Sequence, residues 1–130
     1  VFNYEQNQWE NNEINVGRKF HNVVLLKNNK VAVGCSGMIK IFNLNTWDLI
    51  TSITKNIQGK KLLMMSPLID GGLVANFDTT KQGIVKIEPD FSSTSVTYSG
   101  RNIVSFVKGF PNTNKFVSHD HGHKLAIFEY

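Results

Sequence analysis

The densest group of polar residues in the sequence is the segment 118–123, which reads Ser-His-Asp-His-Gly-His. Ser118, His119 and Asp120 are the residue types of a hydrolytic triad. Successive residues on a β-strand point to opposite faces, so three consecutive side chains cannot converge as a proton relay. The rest of the sequence offers no coherent catalytic set either, and we therefore expect a protein that is not an enzyme.

The same segment carries three histidines at alternating positions, His119, His121 and His123. On a straight strand these imidazoles would lie on one side and could bind zinc or copper. Asp120–Gly122, however, has the composition of a turn between two strands, which would separate the rings. We expect a polar turn with no metal and no cofactor, and a metal site at the three histidines is the alternative.

A glycine-containing segment, Gly34–Gly37, surrounds the single cysteine, Cys35. Its spacing matches neither the dinucleotide-binding fingerprint nor the P-loop, and a strand pattern rather than a helix follows it. One cysteine excludes an intramolecular disulfide and a zinc site built from several thiolates. The segment therefore predicts a hairpin turn beside a structural thiol.

The composition is globular, since 41% of the 130 residues are hydrophobic and 18% are charged. No apolar run approaches the roughly 20 residues that a membrane-spanning helix needs. No signal peptide and no Asn-x-Ser/Thr sequon are visible. We expect an intracellular protein, cytoplasmic or nuclear, that does not span a membrane. Because the chain begins at Val1, we expect it to be a piece of something longer.

The formal charge of +4 comes from the first half of the chain. Residues 1–65 carry eight Lys or Arg and four Asp or Glu, whereas residues 66–130 carry six of each sign. The excess between Arg18 and Lys61 could form a patch for nucleic acid or anionic lipid. The interpretation we favour is a solvated surface, with lysines at loops and strand edges that discourage edge-to-edge pairing.

Short β-branched runs separated by Asn, Gly and Asp dominate the sequence and predict strands. The first four runs form one antiparallel meander: 23–26, 31–35, 38–42 and 49–53. Similar runs follow at 62–65, 73–77, 84–87 and 95–98, and then at 103–107, 116–118 and 124–128. The second strands begin at Val31, Leu73 and Phe116, which gives a repeat of 42 to 43 residues. Four strands per 40–45 residues are typical of propeller blades.

The segment 40–46, Lys-Ile-Phe-Asn-Leu-Asn-Thr, resembles the end of a WD-repeat blade. That family has an aliphatic residue, a Trp-Asp pair, then Leu and a short polar turn at this place. Phe42-Asn43 replaces Trp-Asp here, and Ile87-Glu88 and Phe128-Glu129 occupy the same place in the later copies. The resemblance is closest over residues 18–53 and extends over essentially the whole chain.

The resemblance implies an all-β fold of consecutive four-stranded antiparallel propeller blades. We expect residues 1–17 to be the remnant of a blade, 18–58 and 59–99 to be blades, and 100–130 to be a blade that lacks its last strand. Because propellers have about 4–8 blades, these leave an incomplete ring. We expect missing sequence or another chain to complete it.

The resemblance further implies a scaffold that binds other proteins as a component of a larger assembly. Contacts would come from the loops that lead into the first strand of each blade, which should share one rim. The partner-binding residues expected there are Arg18, Lys19, Lys60, Lys61, Arg101 and Asn102. The alternative function is binding of nucleic acid or a phosphoinositide through the basic region 18–61.

Overall fold

The computed structural model describes residues 2–3, 8–9, 16–17, 19–98 and 102–130. In these ranges every regular element is a β-strand, as the sequence predicts, and no helix could span a membrane. The strands are β1 (Phe2–Asn3), β2 (Gln8–Trp9), β3 (Phe20–Leu26), β4 (Lys30–Cys35), β5 (Met38–Asn43), β6 (Leu49–Ile53), β7 (Leu62–Pro67), β8 (Leu73–Phe77), β9 (Ile84–Ile87), β10 (Ser93–Ser95), β11 (Val104–Gly109), β12 (Lys115–Asp120) and β13 (Leu125–Glu129).

Within each sheet, every strand pairs with the next one along the chain, so the sheets are antiparallel meanders. Strands β3 to β6 form blade 1, β7 to β10 form blade 2, and β11 to β13 form the three-stranded blade 3. The short strands β1 and β2 pair with each other, with Phe2 opposite Trp9. The described part of the chain is therefore a row of consecutive propeller blades that does not close into a ring.

Left-handed backbone conformations make the hairpin turns tight. Asn28 and Asn29, between β3 and β4, have φ values of 60° and 55°. Gly37, between β4 and β5, has a φ of 70°. Asn and Gly tolerate this region better than other residues do, which is why these dipeptides predict the turns correctly.

Blade 2 is buried on both faces. One core lies between blades 1 and 2 and includes Ile41, Leu73 and Phe77, and a second lies between blades 2 and 3 and includes Val74 and Phe116. Every residue of β8 and β9 is buried. Strands packed on both sides need apolar residues at successive positions, which explains the continuous apolar runs in the sequence.

The two outer faces of the row are apolar and exposed. On blade 1, Leu25 is 61% exposed, and Val23 and Leu49 are also exposed. On blade 3, Leu125 and Ile127 are 67% and 62% exposed. Both faces of the end blades therefore carry apolar residues, as do the two faces of blade 2, which are buried.

The fourth strand of blade 2 differs from its predicted position, since it covers Ser93–Ser95 rather than 95–98. The preceding turn is short and closes early, because the backbone N–H groups of Phe91 and Ser92 donate to Glu88 O and Asp90 Oδ1 at 2.8 and 2.9 Å. Pairing with β9 can then begin at Ser93, opposite Ile87. The β-branched residues after it lie beyond the strand.

Candidate functional site

A cavity of about 590 Å³ lies at the junction of blades 1 and 2, and we call it the rim cavity. The turn between β4 and β5 forms one wall, and the loop between β6 and β7 forms the other. The residues that line it are Ser36, Gly37, Met38, Thr54, Gln58, Gly59, Lys60 and Lys61. Its volume falls within the range of about 300–1,000 Å³ that is usual for ligand sites.

Backbone hydrogen bonds within the loop at residues 54–61 hold its conformation. The N–H groups of Ile57 and Gln58 both donate to Thr54 O, at 3.0 and 2.9 Å, and Lys60 N donates to Ile57 O at 3.0 Å. The side chain of Ile57 is 0% exposed and belongs to the core between blades 1 and 2. A buried anchor thus sets the position of this cavity wall.

Hydrogen bonds also tie the loop to both blades. On the side of blade 1, Gly37 N donates to Lys60 O at 3.2 Å. On the side of blade 2, Ser93 Oγ donates to Lys55 O at 2.7 Å, and Asn56 Nδ2 donates to Ser93 O at 3.1 Å. Because the loop is already ordered, ligand binding would cost little conformational entropy at this loop.

Each wall of the cavity contains a glycine with a left-handed backbone conformation. Gly37 and Gly59 have φ values of 70° and 78°, a region that other residues rarely adopt. A Cβ on Gly37 would lie 3.4 Å from the backbone nitrogen of Gly59, whereas a Cβ on Gly59 would meet nothing within 4 Å. A Cβ would thus fit at either position, and the left-handed backbone is the reason that both positions favour glycine.

Lys60 is partly buried and held in place at the cavity. Its Nζ donates to Gln82 O at 2.9 Å and lies 5.9 Å from the centre of the Phe77 ring. Burial lowers the pKa of Lys60, because poorly solvated surroundings disfavour the charged form. An ammonium group has three donors, one of which Gln82 receives, so Lys60 can still donate to a ligand.

The positive charge at the cavity has no carboxylate bound to it within the described ranges. There, the ion pairs shorter than 4 Å both involve Lys86, and neither Lys60 nor Lys61 takes part in one. Asp78 N donates to Lys61 O at 2.8 Å, so the backbone of one acidic residue lies next to Lys61. The cavity can therefore accept an anionic group.

The fold is shared with a known class of structure, although the sequence matches no protein-family model and no curated protein. The chain is similar to the crystal structure of selenomethionine-substituted virginiamycin B lyase from Staphylococcus aureus, a propeller-type structure. The TM-score is 0.65, the identity is 9%, and the match covers 98% of this chain and 47% of that chain. The fold is an incomplete β-propeller. The chain spans about half the length of the propeller it matches.

Four of the six residues predicted to bind a partner are described, and each lies close before the first strand of a blade. Lys19 precedes β3, Lys60 and Lys61 precede β7, and Asn102 precedes β11. Lys60 and Lys61 line the same cavity. Arg18 and Arg101 lie outside the described residues. Contact of any of the six with a partner stays a prediction.

Lys19 and Asn102 lie beside the turn of their own blade rather than in the rim cavity. Phe20, which follows Lys19, pairs with Cys35 next to the turn of blade 1. In blade 3, a Cβ on Gly122 would lie 2.2 Å from Asn102 Nδ2. The chain leading into each of these first strands thus lies at the turn between the second and third strands.

Several described lysines of the basic region 18–61 lie away from the rim cavity. Lys27 lies at the opposite end of blade 1 from the rim cavity and lines another cavity together with Lys108. Lys40 Nζ donates to Val16 O at 2.6 Å, and Lys30 Nζ lies 5.4 Å from the centre of the Phe91 ring. Only part of the excess charge is therefore available at the rim cavity.

The residues of the triad pattern face in different directions. Ser118 is buried, whereas His119 is half-buried on the opposite face of β12, where its Nδ1 lies 3.4 Å from Ser105 Oγ. The buried Asp120 accepts a hydrogen bond from Lys124 N at 2.9 Å and so holds the turn. The alternation of side chains along the strand separates these groups, as the sequence predicts.

The three histidines lie around the turn between β12 and β13. The rings of His119 and His123 are 6.5 Å apart between centres, and His123 has a φ of 64°. Strand β12 ends at Asp120, before His121. Across the described ranges, no three His, Cys, Asp or Glu side chains are grouped in a way that could hold a metal ion.

An ionic cluster between blades 2 and 3 was not predicted from the sequence. Lys86 lies in β9 with its side chain 8% exposed, and its Nζ donates to Asp70 Oδ2 at 2.9 Å and to Glu88 Oε2 at 2.5 Å. Burial acts to lower the pKa of Lys86, but its hydrogen bonds to Glu88 and Asp70 outweigh burial and raise it. The Tyr130 ring lies 5.0 Å from Nζ. A lysine inside the apolar run Ile84–Ile87 is the signal that could have revealed the cluster.

Proposed function

We propose that this propeller segment is a non-enzymatic scaffold of the WD-repeat type that binds other proteins within a larger assembly. The observation that supports this function best is the rim cavity, a pre-ordered junction between two blades with lysines that lack carboxylate partners among the described residues. Rigid loops on stacked blades present fixed contacts, which is what a binding platform requires. The residues we assign to partner binding are Lys60 and Lys61. Lys19 lies close to the turn between β4 and β5, which forms the other wall of the rim cavity.

We also infer that further blades, from the same protein or from another chain, cover both outer faces of the row. Leu25 and Leu125 lie on faces that would otherwise leave large apolar side chains in water. Blade 3 has three strands, and β13 has no partner on its outer edge among the described residues. Alternation along β13 directs the N–H and C=O groups of Leu125 and Ile127 to that edge, where a fourth strand would pair.

A capture experiment with a charge-reversal variant tests the scaffold function. The double variant Lys60→Glu/Lys61→Glu should lose specific bound proteins that the wild-type protein retains, because both cavity lysines then repel an anionic partner. The matched control is Lys27→Glu/Lys108→Glu, in which the reversed lysines line a different cavity. Identical sets of captured proteins for both variants and the wild type would contradict the assignment of Lys60 and Lys61.

A further inference from the structure

We propose that the rim cavity binds an extended acidic segment of a partner protein, one carboxylate of which is received between Lys60 and Lys61. This inference rests on the proposed scaffold function and specifies the chemistry of the partner. It concerns the cavity between blades 1 and 2, where the turn at Gly37 meets the loop at residues 54–61.

The positions of the lysines favour an anionic group in the cavity. Consecutive residues Lys60 and Lys61 both line it, and no described carboxylate forms an ion pair with either. The bond from Lys60 Nζ to Gln82 O fixes one ammonium before a ligand arrives. Hydrogen bonds between an ammonium and a carboxylate are about twice as strong as neutral ones, and they gain further strength where water is partly excluded.

The other lining residues favour a peptide over a small apolar ligand. Thr54 and Gln58 offer a hydroxyl and an amide that can bond to a peptide backbone, and Met38 supplies a limited apolar surface. A cavity of about 590 Å³ has room for several side chains. The lining offers polar groups beside an apolar surface of similar extent, and a peptide with alternating polar and apolar groups can use both.

The same residues disfavour a single-stranded nucleic acid. None of the described residues that line the cavity is aromatic, so among them bases would lack the stacking platform that single-strand binding uses. Of the other described cations of the basic region, Lys27 lies at the opposite end of blade 1 and Lys40 bonds to Val16 O. These two lysines would therefore add no contact to a phosphate backbone bound at the rim cavity.

The test is a binding titration of the assembled protein with a fluorescent peptide in which glutamate alternates with serine. Its control peptide carries glutamine in place of each glutamate. We expect the glutamate peptide to bind at least about tenfold more tightly, the effect of one charge-assisted hydrogen bond. Binding should weaken as salt rises from about 50 to 200 mM.

Single-residue variants locate the binding. Lys60→Gln and Lys61→Gln should each weaken binding of the glutamate peptide by about tenfold. Lys61→Arg keeps the charge and should bind within about threefold of the wild type, because the guanidinium also donates to carboxylates. Lys108→Gln, in a different cavity, should leave binding unchanged. Circular dichroism and thermal unfolding of each variant show whether the fold is kept.

Three results would overturn the proposal. The first is equal binding of the glutamate and glutamine peptides, and the second is undiminished binding of the glutamate peptide by both Lys60→Gln and Lys61→Gln. The third is tighter binding of an oligothymidine than of the glutamate peptide, which would assign the cavity to nucleic acid. If the charge-reversal variant still loses captured proteins while the glutamate peptide fails to bind, the scaffold function stands and the acidic ligand falls. If neither effect is seen, both proposals fall.

Discussion

The backbone N–H of Gly37 donates a hydrogen bond to the carbonyl oxygen of Lys60 at 3.2 Å, and this bond joins blade 1 to the loop that leads into blade 2. It links the two walls of the rim cavity through the backbone of the lysine. Because the donor sits in a left-handed turn, the contact depends on glycine at this position. The backbone thus shapes the cavity, and the two lysines give it a positive charge.

Gly37→Ala should destabilise the protein by about 1–2 kcal/mol, the cost of placing a side chain in the left-handed region. The new Cβ would lie 3.4 Å from Gly59 N, an ordinary van der Waals contact, so the backbone conformation sets the cost. Urea unfolding followed by circular dichroism measures the change. Gly59→Ala is the matched control, since its φ is similar and its Cβ meets nothing within 4 Å. We expect the two changes to cost similar amounts, because both place a side chain in the left-handed region and neither Cβ clashes. Costs below about 0.5 kcal/mol for both changes would contradict this account.

Ile57→Ala should destabilise the protein by about 2–5 kcal/mol, the usual cost of truncating a buried Ile. The side chain of Ile57 is 0% exposed and anchors the loop between the blades. The amide of Gln58, which bonds to Thr54 O, should then exchange its hydrogen faster. Hydrogen exchange measured by mass spectrometry over residues 54–61 reports this. Unchanged exchange together with a stability loss below about 1 kcal/mol would mean that Ile57 does not anchor the loop.

The strands and turns could be predicted because their signals are local. Runs such as Val31–Cys35 are β-branched and short, and Asn28, Asn29 and Gly37 adopt the left-handed conformations that their residue types favour. The recurring spacing then predicts blades, and the propeller fold confirms that interpretation. The error at the fourth strand of blade 2 arose because the turn closes early, while the β-branched run that suggests a strand begins only at Val96, which donates one last hydrogen bond to Ile84 O at 2.9 Å.

The rim cavity could not be predicted, because its walls are far apart in the sequence. Ser36 and Gly37 meet Gln58 and Gly59 only after blades 1 and 2 pack. Lys60 and Lys61 were predicted from their place before the first strand of a blade. That position gives the location of the charge, but it does not reveal the opposite wall of the cavity. The partners of Lys86 were likewise hidden, since Asp70 lies in a turn sixteen residues earlier.

Lys86→Met should lower stability at neutral pH by about 2 kcal/mol, because the variant loses hydrogen bonds between charged groups that are worth about 1.5–3 kcal/mol. Asp70 and Glu88 keep some contact with water, with side chains 29% and 38% exposed, which limits the cost of leaving them unpaired. The change is measured by urea unfolding. Lys86→Arg, which retains the charge, is the matched variant and should lose less than Lys86→Met.

The stabilisation from Lys86 should disappear at high pH. Its pKa in the folded protein is raised, so its contribution is full below the ordinary lysine value of 10.5 and is lost as pH rises through the folded value. The nearby Tyr130 also has a raised pKa, chiefly because of burial, and titrates in alkaline solution. The difference in stability between wild type and Lys86→Met isolates the lysine. A difference that stays constant from neutral pH to well above 10.5 would contradict this account.

Leu25→Lys and Leu125→Lys should each destabilise the assembled protein if further blades cover the outer faces. Each change removes a Leu whose full burial is worth about 1.5–3 kcal/mol and places an ammonium in an apolar interface, so we expect a loss of about 3 kcal/mol or more. Where these positions stay as exposed as they are in the described segment, at 61% and 67%, the same changes should alter stability by less than about 0.5 kcal/mol. Thermal unfolding separates the two outcomes, and Asn45→Lys, at an exposed turn between β5 and β6, is the control for added charge. Neutral effects at both leucines would therefore show that the row of blades ends in water and that nothing completes the ring.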